Sequence, residues 1–173
     1  KKADSIAKSM LPLVIPDNPR VYVRKAQYHF GWDWGPIFIT SGIWKNVYLQ
    51  SFNDMPEEKP FVNKRKVELI QEPDSVGRSF YFKIDGVPVY MKGANYIPSD
   101  VFLPRLKKED YRKIILLAKE ANMNMLRVWG GGIYEDDAFY DLCDEYGIMI
   151  WQDFTFAGGM VPADEHFFNN VRE

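Results

Sequence analysis

The sequence predicts a mixed fold class, an all-β part followed by an α/β part with a parallel sheet. Three observations carry that reading. Short runs of β-branched and aromatic residues, broken by Gly and Pro, fill the first third. In the last third the apolar residues recur instead at three and four positions. There the elements follow in the order β, α, β, α, β with short connections, the order of a parallel sheet with right-handed crossovers. A chain of 173 residues is long enough to bury a core. It is too short for a complete (β/α)₈ barrel, which typically takes about 250 residues.

In the β part, Val21 to Val23, Ile37 to Thr40 and Ile43 to Leu49 are strand-like, separated by turn signals at Gly31, Gly35, Pro36 and Gly42. Asn53 to Arg65, with Pro56 and Pro60 among charged residues, reads as a linker or junction. Lys66 to Gln71 and Ser79 to Ile84 are strand-like again, and Asp85-Gly86 between Ile84 and Val87 is a hairpin turn. The next run, Val87 to Gly93, ends at Asn95 in a loop closed by Pro98.

The α/β part opens with Tyr111, Ile114, Ile115, Ala118 and Ala121 on one face of an amphipathic helix that ends near Asn122. Met123 to Trp129 reads as a short apolar strand carrying Arg127, stopped by Gly130-Gly131-Gly132. A second helix starts near Glu135, places Phe139, Leu142, Cys143 and Tyr146 on one face and stops at Gly147 in the left-handed conformation. Ile148 to Trp151 is nearly all apolar, as a strand covered on both faces is.

Charge and composition exclude several partners. With 22 basic and 24 acidic side chains there is no electrostatic case for nucleic acid or an anionic membrane. No apolar run approaches the roughly 18 residues of a membrane span, and Lys1 to Met10 lacks the apolar core of a signal peptide. The single Cys143 excludes an intrachain disulfide and a cysteine zinc cluster, and His29 and His166 give no imidazole metal site. Aromatic residues, at 16%, are abundant and want an explanation.

Functional groups of parallel α/β folds gather at the carboxyl ends of the strands. Those ends carry Asn95 and Tyr96, then Arg127 and Trp129, then Trp151, Gln152 and Asp153. Flat aromatics, amides and one carboxylate without a phosphate loop suit a neutral polyhydroxyl ligand, whose C–H faces stack on rings while its hydroxyls pair with polar groups. Trp129 and Trp151 read equally well as core packing. Arg127 in an apolar strand needs a partner, Asp153 or Glu135 in a structural ion pair, or else a catalytic carboxylate that it orients. The glycine run allows positive φ or a close approach, but it lacks the spacing of a phosphate cradle.

A second constellation is His29 to Pro36, in which Trp32 and Trp34 flank Asp33 between Gly31 and Gly35. It reads as a rigid aromatic loop projecting a carboxylate, or as a hairpin whose indoles plug a core. Glu135-Asp136-Asp137 reads as a solvated acidic cap in a helix's first turn.

These residues together resemble the β-mannosidases of the second glycoside hydrolase family. The matching segments are Val23-Arg24-Lys25-Ala26-Gln27 leading into Gly31-Trp32-Asp33-Trp34-Gly35-Pro36, Thr40-Ser41-Gly42-Ile43-Trp44, Lys92 to Asp100, Asn124 to Gly132, and Ile150 to Phe154. The resemblance implies the C-terminal part of a jelly-roll sugar-binding sandwich over residues 1–52. It implies a junction over 53–65 where an immunoglobulin-like domain is missing, and residual strands over 66–84. Residues 85–173 would then form the first three βα units of a TIM (β/α)₈ barrel. It assigns Trp32 and Asp33 to the terminal mannose, Trp129 and Asp153 to the wall and hydroxyl contacts of that subsite, and Asn95 and Arg127 as further substrate-binding residues.

Chemistry in such enzymes is retaining and exo-acting on terminal β-linked mannose, with an acid/base and a nucleophile about 5 Å apart. The family carries these two glutamates on the fourth and seventh barrel strands, so they are expected beyond Glu173 and the isolated chain is expected to be inactive. No cofactor and no metal are implied; the expected partner is a β-mannoside oligosaccharide or glycan, and the expected compartment periplasmic, secreted or lysosomal. The abrupt charged start fits an internal fragment, and Lys66 to Gln71 would be an orphan strand with a raw edge. Other readings are a non-catalytic carbohydrate-binding module, a β-galactosidase- or β-glucuronidase-type relative, or a piece with no stable fold.

Overall fold

In the computed structural model the described residues are 19–45, 47–49, 51, 65–159 and 161–172. The junction at 53–64, with Pro56 and Pro60, and Glu173 lie outside them. The chain divides into two units, one from Ile43 to Lys92 and one formed by the residues up to Gly42 together with those from Gly93 onward.

The smaller unit is an antiparallel meander of β1 (Val67–Ile70), β2 (Tyr81–Ile84) and β3 (Val87–Val89). Asp85 and Gly86 both adopt positive φ, at 50° and 82°, the geometry of the two-residue turn whose twist matches that of the flanking strands. The Asp85 carboxylate accepts from the Lys66 amide at 2.8 Å, which ties the turn to the start of β1. The segment expected to be an orphan is therefore paired: Val67 faces Ile84 and Ile70 faces Tyr81. Ser79 to Ile84 starts its ladder only at Tyr81, and the expected single run from Val87 to Gly93 is split, because Val87 to Val89 belongs to this meander.

The larger unit contains a parallel sheet of β4 (Gly93–Tyr96), β5 (Met125–Val128) and β6 (Met149–Gln152), side by side in chain order. Helix α1 (Lys108–Glu120) joins β4 to β5, α2 (Asp137–Tyr146) joins β5 to β6, and α3 (Glu165–Arg172) follows β6. At the start of α1 the Asp110 carboxylate accepts from the Lys107 amide, and Asn122 just past its end takes positive φ. Helix α2 has Asp136 as its N-cap, accepting from the Ala138 amide, and Gly147 in the left-handed conformation as its stop. Tyr96, Leu126, Val128 and Ile148 on the sheet meet Tyr111, Ile115, Ala118, Phe139, Leu142 and Cys143 on the helices, forming the core.

The sheet's alternation sorts the rest. With Tyr96, Leu126 and Val128 directed into that core, the register row Asn95, Arg127 and Trp151 lies on the opposite face. Trp151 is 40% exposed, so β6 is not covered on both faces as its apolar run suggests.

The first third departs furthest from its reading. Val21 to Val23 lies at the end of a 3₁₀ turn, Pro19–Tyr22. The described residues of Ile37 to Thr40 and Ile43 to Leu49 form no strand, and Ile37, Ile39, Ile43 and Leu49 are exposed. A strand exists only when a neighbour takes up its amides and carbonyls laterally. Here the described bonds are single ones, Phe38 N–H to the His29 carbonyl and Thr40 N–H to that of Phe38.

Candidate functional site at the carboxyl edge of the parallel sheet

At the edge where β4, β5 and β6 end, Arg127 is the centre of a charged cluster. Its Nε donates to Asp153 Oδ1 at 3.1 Å, its Nη2 to Asp153 Oδ2 at 2.6 Å and its Nη1 to Asn95 Oδ1 at 2.9 Å. The partner left open between Asp153 and Glu135 is thus Asp153, in a two-pronged fork. Asp153 Oδ2 also accepts from the Gly130 amide at 3.1 Å. Of roughly four lone-pair sites on a carboxylate, three are occupied. Among the described residues one on Oδ1 remains open.

The glycine run explains how the aromatic part is held. A Cβ on Gly130 would meet the carbonyls of Phe154 and Phe156 at 2.5 and 2.6 Å, one on Gly132 would meet Pro98, and one on Gly131 would overlap the Trp129 ring. None of the three has positive φ among the described residues. What the run serves is close approach, with the Trp129 indole lying over Gly131.

On that indole sits the aromatic loop. The Trp32 ring meets Trp129 edge-on at 4.8 Å between centroids, and Trp34 meets it at 6.3 Å while stacking on Tyr28 at 5.2 Å. A Trp32–Gly35 bridge closes the loop, and the Tyr28 amide donates to the Gly131 carbonyl at 3.0 Å. Asp33, at the tip, is exposed. Both readings of the loop hold in part: Trp34 stacks on Tyr28 and Trp32 packs against Trp129, while Asp33 is exposed. Arg20, which the sequence reading passed over, lies across the Trp32 ring at 4.9 Å and donates to the Gly158 carbonyl.

Two other readings are corrected. Tyr96 is a core residue whose hydroxyl pairs with Ser99 at 2.7 Å. Glu135 is 4% exposed rather than solvated, and Tyr111 donates to its Oε2 at 3.1 Å; only Asp136 acts as the cap. The buried phenols of Tyr28, Tyr96 and Tyr111 are pushed well above the ordinary tyrosine range, first by burial and then by the Glu135 charge. Burial and the nearby Lys25 hold His29 below the usual imidazole range. Among the described residues its ring nitrogens have no hydrogen-bond partner, and no cluster of His, Cys, Asp and Glu could hold a metal.

Residues 1–45 match the family model of the glycosyl hydrolase 2 galactose-binding domain-like fold. The β-mannosidase of Rattus norvegicus is 53% identical over 255 aligned residues, covering 88% of this chain and 29% of its own; that of Capra hircus is 33% identical with the same coverage. The crystal structure of β-D-mannosidase from Dictyoglomus thermophilum superimposes with a TM-score of 0.82 and 36% identity, over 99% of this chain and 33% of that one. Through its first 45 residues the chain is similar to the second glycoside hydrolase family. It is similar to the β-mannosidases along nearly its whole length, and it spans about a third of the length of those it matches. The two mammalian alignments are longer than the 173 residues of this chain. Those relatives therefore carry intervening residues with no counterpart here.

Proposed function

We propose that this edge is the terminal-mannose recognition part of a retaining exo-β-mannosidase. The observation that carries the reading is the meeting of Trp32 and Trp129 beside the Arg127, Asp153 and Asn95 cluster. Two indoles offer apolar faces to sugar C–H groups. Asp153 Oδ1 accepts from one hydroxyl, Asn95 and Arg127 donate to others, and exposed Asp33 closes over the ring from the loop. The names of the relatives support mannose as the sugar, and a β-mannoside glycan as the partner.

In this reading Asp153 recognises and does not react. Its oxygens are held by two guanidinium N–H groups and an amide, and the one lone pair left on Oδ1 is taken by a sugar hydroxyl. The acid/base and the nucleophile of the retaining reaction are then carried by residues outside this segment. The three parallel strands and their helices are the first three βα units of a (β/α)₈ barrel, and 53–65 is the place where the relatives' intervening residues belong.

Tryptophan fluorescence during a mannose titration of the 173-residue chain tests the recognition. A saturable change that disappears in Trp32→Ala and in Asp153→Ala is expected, and no change in the unaltered chain would refute the reading. Release of nitrophenol from a nitrophenyl β-mannoside by the chain alone would overturn the division between recognition and chemistry.

A further inference from the structure

Glu135 lies at the end of the glycine loop that begins with Gly130, and its surroundings connect the two ends of that loop to β6. The Glu135 amide donates to the Tyr140 hydroxyl at 3.2 Å. The same hydroxyl donates to Gln152 Oε1 at 2.7 Å, and Gln152 Nε2 donates to the Asp153 carbonyl at 2.9 Å. At the other end of the loop the Asp153 carboxylate accepts from the Gly130 amide. The loop is thus fastened to Asp153 twice, once directly and once through Tyr140 and Gln152. One phenol hydroxyl, which has one proton to give and lone pairs to receive, serves as the joint.

Neither residue reaches the sugar edge itself. Tyr140 is on α2, under the sheet, against Phe139 at 5.4 Å between ring centroids. Gln152 shares the register row of Tyr96 and Val128, both buried in the core, so it too belongs to the helix-covered face. Two polar side chains on an otherwise apolar face are costly unless paired, and here both are paired to one another and to the backbone that carries the site.

We propose that Tyr140 and Gln152 are positioning residues: their hydrogen-bond relay fixes the backbone at Asp153 and the Gly130 to Glu135 loop, and through them the Asp153 carboxylate and the Trp129 indole. This rests on the recognition reading above for its consequence, though not for its geometry. Removing the hydroxyl frees the Glu135 amide and the Gln152 carbonyl together, and lets the Asp153 backbone shift relative to Arg127. Small misplacements of a positioned group are expensive in recognition.

The test compares Tyr140→Phe with the unaltered chain in mannose binding, thermal unfolding and hydrogen exchange of the Gly130 and Asp153 amides. Mannose binding about tenfold weaker, faster exchange at both amides and a nearly unchanged unfolding midpoint are expected. Equal affinity and equal exchange would overturn the proposal. If Tyr140→Phe does not fold, Gln152→Glu serves in its place, because it keeps an acceptor for the phenol but loses the donor to Asp153. Its exchange at Asp153 should rise, and unaltered exchange there overturns the relay. Where both variants fold, their combination should weaken binding no more than the weaker single variant; additive losses would show two independent effects. If the unaltered chain does not respond to mannose, the recognition reading fails, and the exchange comparison alone decides the relay.

Discussion

Arg127 and Asp153 show how much a single pair can fix. With the arginine side chain 40% exposed and the aspartate 19%, the pair sits between surface and interior. Its strength is therefore modest, of order 1 kcal/mol; its geometry is what matters, since the fork leaves one carboxylate lone pair in a set direction. Gly131 is the other residue on which the site turns. In Gly131→Ala the new methyl overlaps the Trp129 ring, so the indole has to move, at a cost of about 1–3 kcal/mol. Chemical denaturation should show that loss together with a loss of the fluorescence response to mannose. Gly35→Ala, where a Cβ meets nothing, should stay within about 0.5 kcal/mol of the parent.

Helix α2 holds Tyr140 beneath the site, and at ten residues it is too short to be stable without its ends and its packing. Asp136 satisfies one of its free amides and Gly147 ends it in the left-handed conformation. Asp136→Ala should cost about 1 kcal/mol, read as a lower denaturation midpoint with unchanged slope. Asp137→Ala in the next position lacks that bond and should cost less. Both ends of this helix were legible in the sequence, because caps are local chemistry. That Glu135 goes inward while Asp136 caps was not, because periodicity does not say where one helix face meets the tyrosines of another.

Across the whole molecule the buried tyrosines tie stability to pH. The folded-state pKa values of Tyr28, Tyr96 and Tyr111 lie above the unfolded value of about 10. Stability from these phenols is thus fully present below about pH 10 and is lost as pH rises through the folded values, by up to about 1.4 kcal/mol per pH unit for each. A titration followed by tyrosinate absorbance should show these three buried rings ionising only with unfolding, seen together in circular dichroism. Ionisation of every tyrosine in one step with the fold retained would contradict this burial.

By itself the sequence determined the α/β part. The helix periods, the Asp85-Gly86 turn, the Gly147 stop and the strand carrying Arg127 depend on neighbours a few residues apart, and each lies within a residue or two of its expected place. It also brought out Trp32, Asp33, Asn95, Arg127, Trp129 and Asp153 through the motifs they form. Only the tertiary structure decided which of these meet. Arg127 takes Asp153 across 26 residues, and Trp32 reaches Trp129 from the far side of the meander's sequence. It decided too that Lys66 to Gln71 pairs with β2 and that Ile37 to Thr40 forms no strand with the described residues. Strand pairing and ring contact are settled by what lies alongside in space, and a run of β-branched residues carries no record of that neighbour.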